Sequence, residues 1–312
     1  MWNGKKDLLG MNDLSKEEIE GVIRYSSALE PLSGKGSKLG ICRGEILISA
    51  FFEPSTRTVT SFAAAMHTLG GDVQTFLESG SSIEKGETKE DTIRTLEQYG
   101  DALVIRDSDP GSVARYASLV KVPVINAGDG INEHPTQALY DMYTIWKQFG
   151  RLTNLRIAVV GGLKYYRPSN SLVMGLGKFE GNKIFGICPP GLSLSKQYSN
   201  GCYEEMQINM THLNEVLEKI KPDVVYVTRL KKEYMPPNED TKNYFYVVDN
   251  KTMAVLPQNC IVMHALPRVW EINTEIDSDP RAIMFKQARH SLQVRMAVLA
   301  LFLGHEDELK KL

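Results

Sequence analysis

Cysteine is scarce in this sequence, and the positions of the cysteines argue against a small domain stabilised by disulfides or by a bound metal. Cys42, Cys188, Cys202 and Cys260 lie far apart and form no Cys-x-x-Cys pair. We therefore expect neither a disulfide framework nor a metal site, and we interpret the four as buried small apolar residues. Such cysteine usage is typical of a reducing cytoplasm.

Long apolar runs and an excess of one charge are also missing. The longest apolar run, 296–303, is far short of the roughly 20 residues that a helix needs to cross a bilayer. The first residues contain no apolar core of a signal peptide. The 36 basic and 38 acidic residues nearly balance, and no basic tract is present. We predict a cytoplasmic protein that has neither a membrane nor a nucleic acid as partner.

Glycine motifs for nucleotides are absent as well. Gly161 and Gly162 precede Leu163 without the third glycine of a Gly-x-Gly-x-x-Gly motif, and the segment 33–38 lacks P-loop spacing. A dinucleotide cofactor is therefore disfavoured, and we predict no cofactor.

The 312 residues, 42% of them apolar, suffice for about two domains. Short apolar strands alternate with amphipathic helices along the chain, which predicts parallel sheets. We expect an α/β fold of two doubly wound parallel-sheet domains joined by long crossing helices. The first domain is predicted at 1–133 and the second at 151–290, with helices 134–150 and 291–312 crossing between them.

An apolar strand that runs into a helix through Ser55, Thr56, Arg57 and Thr58 suggests a phosphate site. Residues 45–52 form a nearly continuous apolar run, and 59–69 have helical spacing that ends at Gly70 and Gly71. Backbone N–H groups, hydroxyls and a guanidinium at a helix N-terminus favour an oxyanion. Residues 51–58 alone are equally consistent with an ordinary capped helix that binds no ligand.

Further basic and polar residues follow the other predicted strands. In open parallel sheets ligands bind beyond the carboxyl ends of the strands. The residues found there are Arg106, His134, Arg167, Arg229 and His264. We interpret Arg57 and Arg106 as ligands for a phosphate, and Arg167 and Arg229 as forks for carboxylates. His134, just before a predicted helix at 135–149, is expected to be a neutral ring that can polarise a carbonyl.

Taken together, these segments resemble the aspartate and ornithine carbamoyltransferase family, on its aspartate branch. The similarity runs nearly end to end through Phe51–Thr58, Lys85–Thr88, Asn126–Gly130, His134–Gln137, Leu163–Tyr165, Thr228–Arg229 and Leu266–Val269. It implies transfer of the carbamoyl group of carbamoyl phosphate to L-aspartate in pyrimidine biosynthesis. The first domain would bind carbamoyl phosphate and the second the amino acid.

The resemblance also implies roles for individual residues and an assembly. Carbamoyl phosphate would be bound by Ser55, Thr56, Arg57, Thr58, Ser81, Arg106, His134, Gln137 and Leu266. Aspartate would be bound by Lys85, Arg167, Arg229 and Lys231. Arg57, Thr58, Lys85, Arg106 and His134 would be catalytic. A homotrimer is implied in which Ser81 and Lys85 reach into a neighbouring active site, and regulatory chains are possible partners.

Two alternatives to aspartate transfer stay open. The ornithine branch has a His-Cys-Leu-Pro segment and a Ser-Met-Gly loop, and neither is present, whereas Arg229 favours a dicarboxylate acceptor. A transferase for another amino acid, or a paralogue that binds without turnover, remains an alternative.

Several residues depart from the usual pattern of the family, mostly where the acceptor would bind. Lys231 replaces Gln, Tyr234 replaces Arg, Ala265 replaces Pro and Trp270 replaces Asp; elsewhere Val59, Gly162 and Glu84 replace Arg, Asp and Lys. We predict that the phosphate half works normally and that the acceptor half is altered. Glu84 either tethers the neighbouring Lys85 or is a solvated side chain.

Overall fold

The strands of this computed structural model, which describes residues 4–231, 235 and 244–312, form two entirely parallel sheets. The chain divides into two compact units. Unit 1 comprises Met1–Tyr143 and Arg289–Leu312, and unit 2 comprises Thr144–Ala288. The predicted α/β class with two parallel-sheet domains is confirmed.

Unit 1 contains the smaller sheet. Its strands are β1 (Ile46–Phe51), β2 (Asp72–Leu77), β3 (Ala102–Asp107) and β4 (Val124–Asp129), in the order β2-β1-β3-β4. The central strands are buried on both faces, which explains their continuous apolar sequences. Their side chains Ile48, Leu103 and Ile105 pack with Val113 and Val124 in one core cluster.

Unit 2 contains the larger sheet. Its strands are β5 (Arg156–Val160), β6 (Lys183–Cys188), β7 (Tyr203–Gln207), β8 (Val224–Val227) and β9 (Ile261–His264), in the order β7-β6-β5-β8-β9. Ala158, Ile187, Val225 and Val262 are among the buried side chains of its main core.

Helices connect the strands in both units. They are α1 (Lys16–Leu29), α2 (Thr56–Leu69), α3 (Lys89–Leu96), α4 (Ser112–Ala117), α5 (Pro135–Phe149), α6 (Arg167–Leu176), α7 (Leu213–Ile220), α8 (Asn250–Val255), α9 (Met284–Phe302) and α10 (Glu306–Leu309). The division between the units falls within α5 and within α9. Among the described residues, no helix is both long and apolar enough to cross a membrane.

Local sequence signals account for most helix starts. Ser15 and Glu18, with the Ser-x-x-Glu spacing of a capping box, begin α1, and the Ser15 side chain accepts from the Glu18 N–H. Pro135 begins α5 as predicted, because proline suits the first helical position.

Two elements differ from the sequence prediction. β7 was not predicted, because Tyr203–Gln207 is a polar edge strand that lacks an apolar run. The C-terminal helix was predicted to begin at Ser291, but α9 begins at Met284 and ends at Phe302, before the separate α10.

Candidate active site

The predicted phosphate turn lies between β1 and α2 in unit 1. Ser55 is the N-cap of α2, and its Oγ accepts a hydrogen bond of 3.3 Å from the Thr58 N–H. Thr58 is buried, whereas Thr56 and Arg57 are exposed. The turn thus places the hydroxyl of Thr56 and the guanidinium of Arg57 in solvent at the positive end of a helix of 14 residues.

Arg106 lies at the same edge of the sheet as this turn. β3 pairs with β1 so that Arg106 is opposite Phe51, and the Phe52 N–H donates to the Arg106 carbonyl at 2.8 Å. Nη2 of Arg106 donates to Oε1 of Glu53 at 3.1 Å. This ion pair holds the guanidinium next to the start of the turn, and the sequence alone did not indicate a role for Glu53.

The loop before His134 is organised by Asp129. One carboxylate oxygen of Asp129 accepts from Asn126 Nδ2 at 2.9 Å and from the Glu133 N–H at 3.1 Å. The other accepts from Asn132 Nδ2 and from the Gly111 N–H, both at 2.8 Å. Four hydrogen bonds to one buried carboxylate restrain the loop.

This loop places His134 immediately before α5. His134 is buried, and its Nδ1 lies 3.5 Å from Oγ1 of Thr136. Its carbonyl accepts from the N–H groups of Gln137 and Ala138 in the first turn. The predicted position at a helix N-terminus is therefore confirmed, and the chemical role of the ring stays a prediction.

Gln137, one turn further on, is held on both sides of its amide. Nε2 donates to Oδ1 of Asp141 at 2.9 Å, and the hydroxyl of Tyr140 donates to Oε1. Burial raises the pKa of Tyr140 above its ordinary value, although the charges of Arg295 and Arg57 act in the opposite direction. The side chain of Gln137 is therefore oriented by a buried network.

Arg295 of α9 lies behind this network and is itself buried. Its guanidinium is 4.5 Å from the ring centroid of Phe62 and 5.6 Å from that of Tyr140, and Nη1 donates to Ser61 Oγ. Burial lowers the pKa of Arg295 to about 10, against the opposing effects of Tyr140 and Asp141. Arg295 thus connects α9 to α2 and α5. In the sequence, Arg295 is recognisable only as a charge in an apolar helix.

The segment expected to act on a neighbouring chain is a short 3-10 helix, Ser82–Lys85. Ser81 caps it, accepting from the Ile83 N–H at 3.3 Å and donating to the Glu78 carbonyl at 2.6 Å. Lys85 is exposed. Glu84 accepts a hydrogen bond of 2.8 Å from the Gly80 N–H, so its carboxylate stabilises the loop.

In unit 2, Arg167 and Arg229 follow adjacent strands at the carboxyl edge of the sheet. Arg167 is the first residue of α6, and it is buried. Arg229 comes two residues after β8, which pairs with β5. Thr228 anchors this end of β8 because its N–H and its hydroxyl both donate to the Val160 carbonyl, at 2.8 and 3.0 Å.

Leu266 lies in a loop that is supported by a buried pair. Its φ is +55°, in the left-handed region that leucine rarely adopts. The Leu266 N–H donates to Nδ1 of His264 at 2.8 Å, and Nε2 of His264 lies 2.8 Å from Oε1 of Glu271. Because Nδ1 accepts, the ring proton is on Nε2, the nitrogen next to the carboxylate. His264 and Glu271 therefore fix the backbone at Leu266.

Glu271 is also bound by backbone donors. The N–H groups of Val269 and Trp270 donate to its carboxylate at 3.3 and 3.1 Å. Burial raises the pKa of Glu271, but the hydrogen bonds from His264 and the backbone outweigh burial, so the pKa is lowered overall. Glu271 was not predicted, since the pairing depends on a loop conformation that the sequence does not encode in any simple motif.

The residues that depart from the family pattern include an aromatic cluster in unit 2. Trp270 stacks on Phe245 with centroids 4.4 Å apart and lies 5.5 Å from the ring of Tyr246. It also packs against the cluster of Leu192, Leu230 and Tyr244. Trp270 therefore has a packing role, which an aspartate could not fill. Lys231 is half-buried after Leu230, and Tyr234 lies outside the described residues.

Each unit thus carries cationic groups at the carboxyl edge of a parallel sheet, and unit 1 adds a capped helix N-terminus. Fold and residues together define an α/β protein that binds anionic ligands. Residues 6–147 match the family model described as "Aspartate/ornithine carbamoyltransferase, carbamoyl-P binding domain". Residues 153–302 match the one described as "Aspartate/ornithine carbamoyltransferase, Asp/Orn binding domain". The chain belongs to the aspartate/ornithine carbamoyltransferase family.

Similar proteins agree with this assignment over nearly the full length. The chain is 42% identical to the aspartate carbamoyltransferase catalytic subunit of Thermococcus onnurineus, covering 97% of this chain and 98% of the relative. It is 43% identical to the corresponding subunit of Thermococcus gammatolerans, covering 97% and 99%. A crystal structure of Trypanosoma cruzi aspartate transcarbamoylase in complex with carbamoyl phosphate is similar with a TM-score of 0.88, 35% identity and 95% coverage of both chains.

Proposed function

We propose that this chain is a carbamoyltransferase that converts carbamoyl phosphate and L-aspartate into N-carbamoyl-L-aspartate and phosphate, a step of pyrimidine biosynthesis. The observation that carries the proposal is the Ser55–Thr58 turn at the N-terminus of α2, beside Arg106, in a chain of this family. The relatives named above support aspartate as the acceptor.

Unit 1 would bind carbamoyl phosphate. Ser55, Thr56, Arg57, Thr58 and Arg106 offer hydroxyl and guanidinium donors for the phosphate oxygens, and the helix N-terminus favours the negative charge. Gln137 would accept a hydrogen bond from the carbamoyl NH2 through Oε1, whose orientation is set by Tyr140 and Asp141.

The chemistry would be acyl transfer without a covalent enzyme intermediate. His134, Thr58 and Arg106 would donate to the carbamoyl oxygen as negative charge develops on it in the tetrahedral state. The uncharged amine of aspartate attacks the carbonyl carbon, the C–O bond to phosphate breaks, and the leaving phosphate takes the proton of the amine. Positioning and electrostatic stabilisation supply the catalysis.

Unit 2 would bind L-aspartate. The planar guanidinium groups of Arg167 and Arg229 can each donate two parallel hydrogen bonds to a carboxylate, and an acceptor with two carboxylates matches both. Lys231 follows Arg229 by two residues and would add a third positive charge near the acceptor.

The proposal extends to assembly and compartment. Ser81 and Lys85, on a short exposed helix, would complete the site of a neighbouring copy in a homotrimer. Regulatory chains are a further possible partner. The balanced charge and the cysteine usage suit the cytoplasm. Under this proposal the domains are 1–133 for carbamoyl phosphate and 151–290 for aspartate, with 134–150 and 291–312 as the connecting segments.

The reaction is tested by assaying ureido products from carbamoyl phosphate with aspartate, ornithine and other amino acids. We expect saturable formation of carbamoyl-aspartate by the wild type and a loss of at least ~100-fold in Arg106→Ala, because a transition-state donor is removed. Arg94→Ala is the matched control, since Arg94 is an exposed arginine of α3 that pairs with Asp91. Equal activity of both variants would refute the assigned role of Arg106.

Sharing of sites between copies has its own test. Lys85→Ala and His134→Ala would each be inactive alone, and unfolding and refolding them together would form mixed assemblies. If Lys85 acts in a neighbouring copy, some sites in the mixture are intact and activity returns. A mixture that stays as inactive as its components contradicts the shared site.

A carbamoyltransferase for a different amino acid is the second candidate. Lys231, Ala265 and Trp270 favour it, because they alter the predicted acceptor region while the residues proposed for carbamoyl phosphate are retained. Product formation with another amine, and none with aspartate, would select this candidate.

A further inference from the structure

A thiol, a carboxylate and an imidazole form a cluster in unit 1 that the proposed reaction does not use. Sγ of Cys42, a carboxylate oxygen of Glu45 and a ring nitrogen of His305 all lie within 4.8 Å of one another. Cys42 is fully buried, whereas Glu45 and His305 are half-buried and reachable from solvent. We propose that these three side chains bind a divalent cation of the zinc class.

The backbone that carries Cys42 and Glu45 is fixed by the fold. The Glu45 N–H donates to the Cys42 carbonyl at 3.1 Å, which closes a tight turn just before β1. The Cys42 N–H donates to the Leu69 carbonyl at 3.0 Å, and the Glu45 carbonyl accepts from Asp72 at 2.9 Å. Both ligands are therefore attached to a turn that is tied to α2 and β2 on either side.

His305 is held just as firmly by the end of α9. Gly304 has a φ of +89° and donates its N–H to the Leu301 carbonyl, and the His305 N–H donates to the Ala300 carbonyl at 2.8 Å. This pair of bonds is a Schellman motif, in which glycine reverses the chain after a helix. Two rigid segments, 260 residues apart in sequence, thus bring His305 to Glu45.

The ring of His305 has a carboxylate near each of its nitrogens. Nε2 lies 2.9 Å from Oε2 of Glu45, and Nδ1 lies 3.7 Å from Oε2 of Glu308. A metal-binding histidine usually donates its other N–H to a carboxylate, which fixes the tautomer. Glu308 can supply that partner, and Nε2 is then the ligand atom.

The ligand types indicate the class of ion. Thiolate with imidazole and carboxylate suits zinc or cobalt better than magnesium or calcium. Ligand atoms in a tetrahedral zinc site are about 3.3–3.7 Å apart. Nε2 of His305 and Oε2 of Glu45 are 2.9 Å apart, and Sγ of Cys42 lies within 4.8 Å of the ligand atoms of both, so side-chain adjustment would complete the site. A water molecule can occupy the fourth position.

Cobalt(II) titration of the chelator-treated, full-length protein tests the site. We expect one equivalent to produce thiolate-to-cobalt charge-transfer absorption together with visible bands of tetrahedral cobalt, and zinc to displace it. Zinc should also raise the Tm, because the ion binds the folded chain only. Cys42→Ser should abolish the charge-transfer band, and Glu308→Gln should weaken binding about 10-fold.

The controls separate this site from incidental metal binding. Cys202→Ser, which removes a half-buried thiol of unit 2, should leave the spectrum unchanged. If Cys42→Ser does not fold, His305→Gln and Glu45→Gln test the same ligands through more exposed side chains. Absence of the charge-transfer band in the wild type, or its persistence in both Cys42→Ser and His305→Gln, would overturn the proposal.

Discussion

Glu271→Ala removes the carboxylate that faces His264 in unit 2, and we expect a large loss of stability. Both side chains of the pair are fully buried, with Nε2 of His264 2.8 Å from Oε1 of Glu271. Removing the carboxylate leaves buried polar groups without their partner, at a cost of about 1–3 kcal/mol for each unsatisfied group. The N–H groups of Val269 and Trp270 lose their acceptor in the same variant.

Glu271→Gln gives a graded comparison. The glutamine amide keeps one oxygen next to Nε2 of His264. Its NH2 group replaces the other oxygen, so that two donors, the NH2 and a backbone N–H, face each other. We expect a cost of about 1–3 kcal/mol, in line with one unsatisfied buried donor. Glu204→Gln is the control, since this carboxylate is exposed on β7, and its cost should be under about 0.5 kcal/mol.

The pair also predicts a dependence on pH. The folded state lowers the pKa of Glu271 from its ordinary 4.5, so the carboxylate contributes stability above pH 4.5. That contribution is lost as pH falls through the lowered pKa of the folded state. Urea midpoints of the wild type should therefore fall more steeply below pH 4.5 than those of Glu271→Gln. Parallel acid profiles, or a Glu271→Ala cost below about 1 kcal/mol, would refute this account of the loop.

Three further predictions follow from single contacts. Gly161→Ala should lower the free energy of unfolding by about 3 kcal/mol, because φ of Gly161 is +120° and an added Cβ would lie 2.0 Å from the Tyr246 hydroxyl. Thermal unfolding checks this, with Gly201→Ala as the control, since a Cβ at Gly201 would meet nothing within 4 Å. Tyr140→Phe should raise the KM for carbamoyl phosphate about 3–10-fold by freeing the Gln137 amide, whereas Tyr143→Phe, on the same helix but bonded to Glu30, should not. Lys231→Gln should lower the KM for aspartate in steady-state assays, and an unchanged or lost activity would count against an aspartate site perturbed by Lys231.

The sequence predicted best those parts of the fold that are determined by a few neighbouring residues. Central strands such as β3 are buried on both faces and therefore have continuous apolar sequences. Pro135 and Ser15 mark helix starts through their backbone chemistry. β7 could not be predicted in this way, because an edge strand with exposed Glu204 and Glu205 has the composition of a loop.

The candidate site also contains residues that the sequence predicted and residues that it did not. Ser55–Thr58 and Arg106 were predictable because the end of each parallel strand can be located from its apolar run, and such ends share one edge of a sheet. Tyr140 and Asp141 were missed, since polar residues within a helix are usually solvated. Glu271 and Arg295 were missed because their partners depend on loop and helix packing that no local pattern encodes.

The cluster of Cys42, Glu45 and His305 could not be predicted from the sequence at all. Widely spaced cysteines predicted no metal site, because sequence motifs for metals rely on ligands that are close in the chain. Here the ligands come from a turn before β1 and from the end of α9. Only the tertiary structure brings them together.

Product formation from carbamoyl phosphate and L-aspartate by the purified wild type, with the product identified by NMR, tests the proposed reaction most directly. We expect saturable formation of N-carbamoyl-L-aspartate with release of one phosphate per turnover, and none with ornithine. Absence of carbamoyl-aspartate at saturating concentrations of both substrates, from a folded protein, would contradict it.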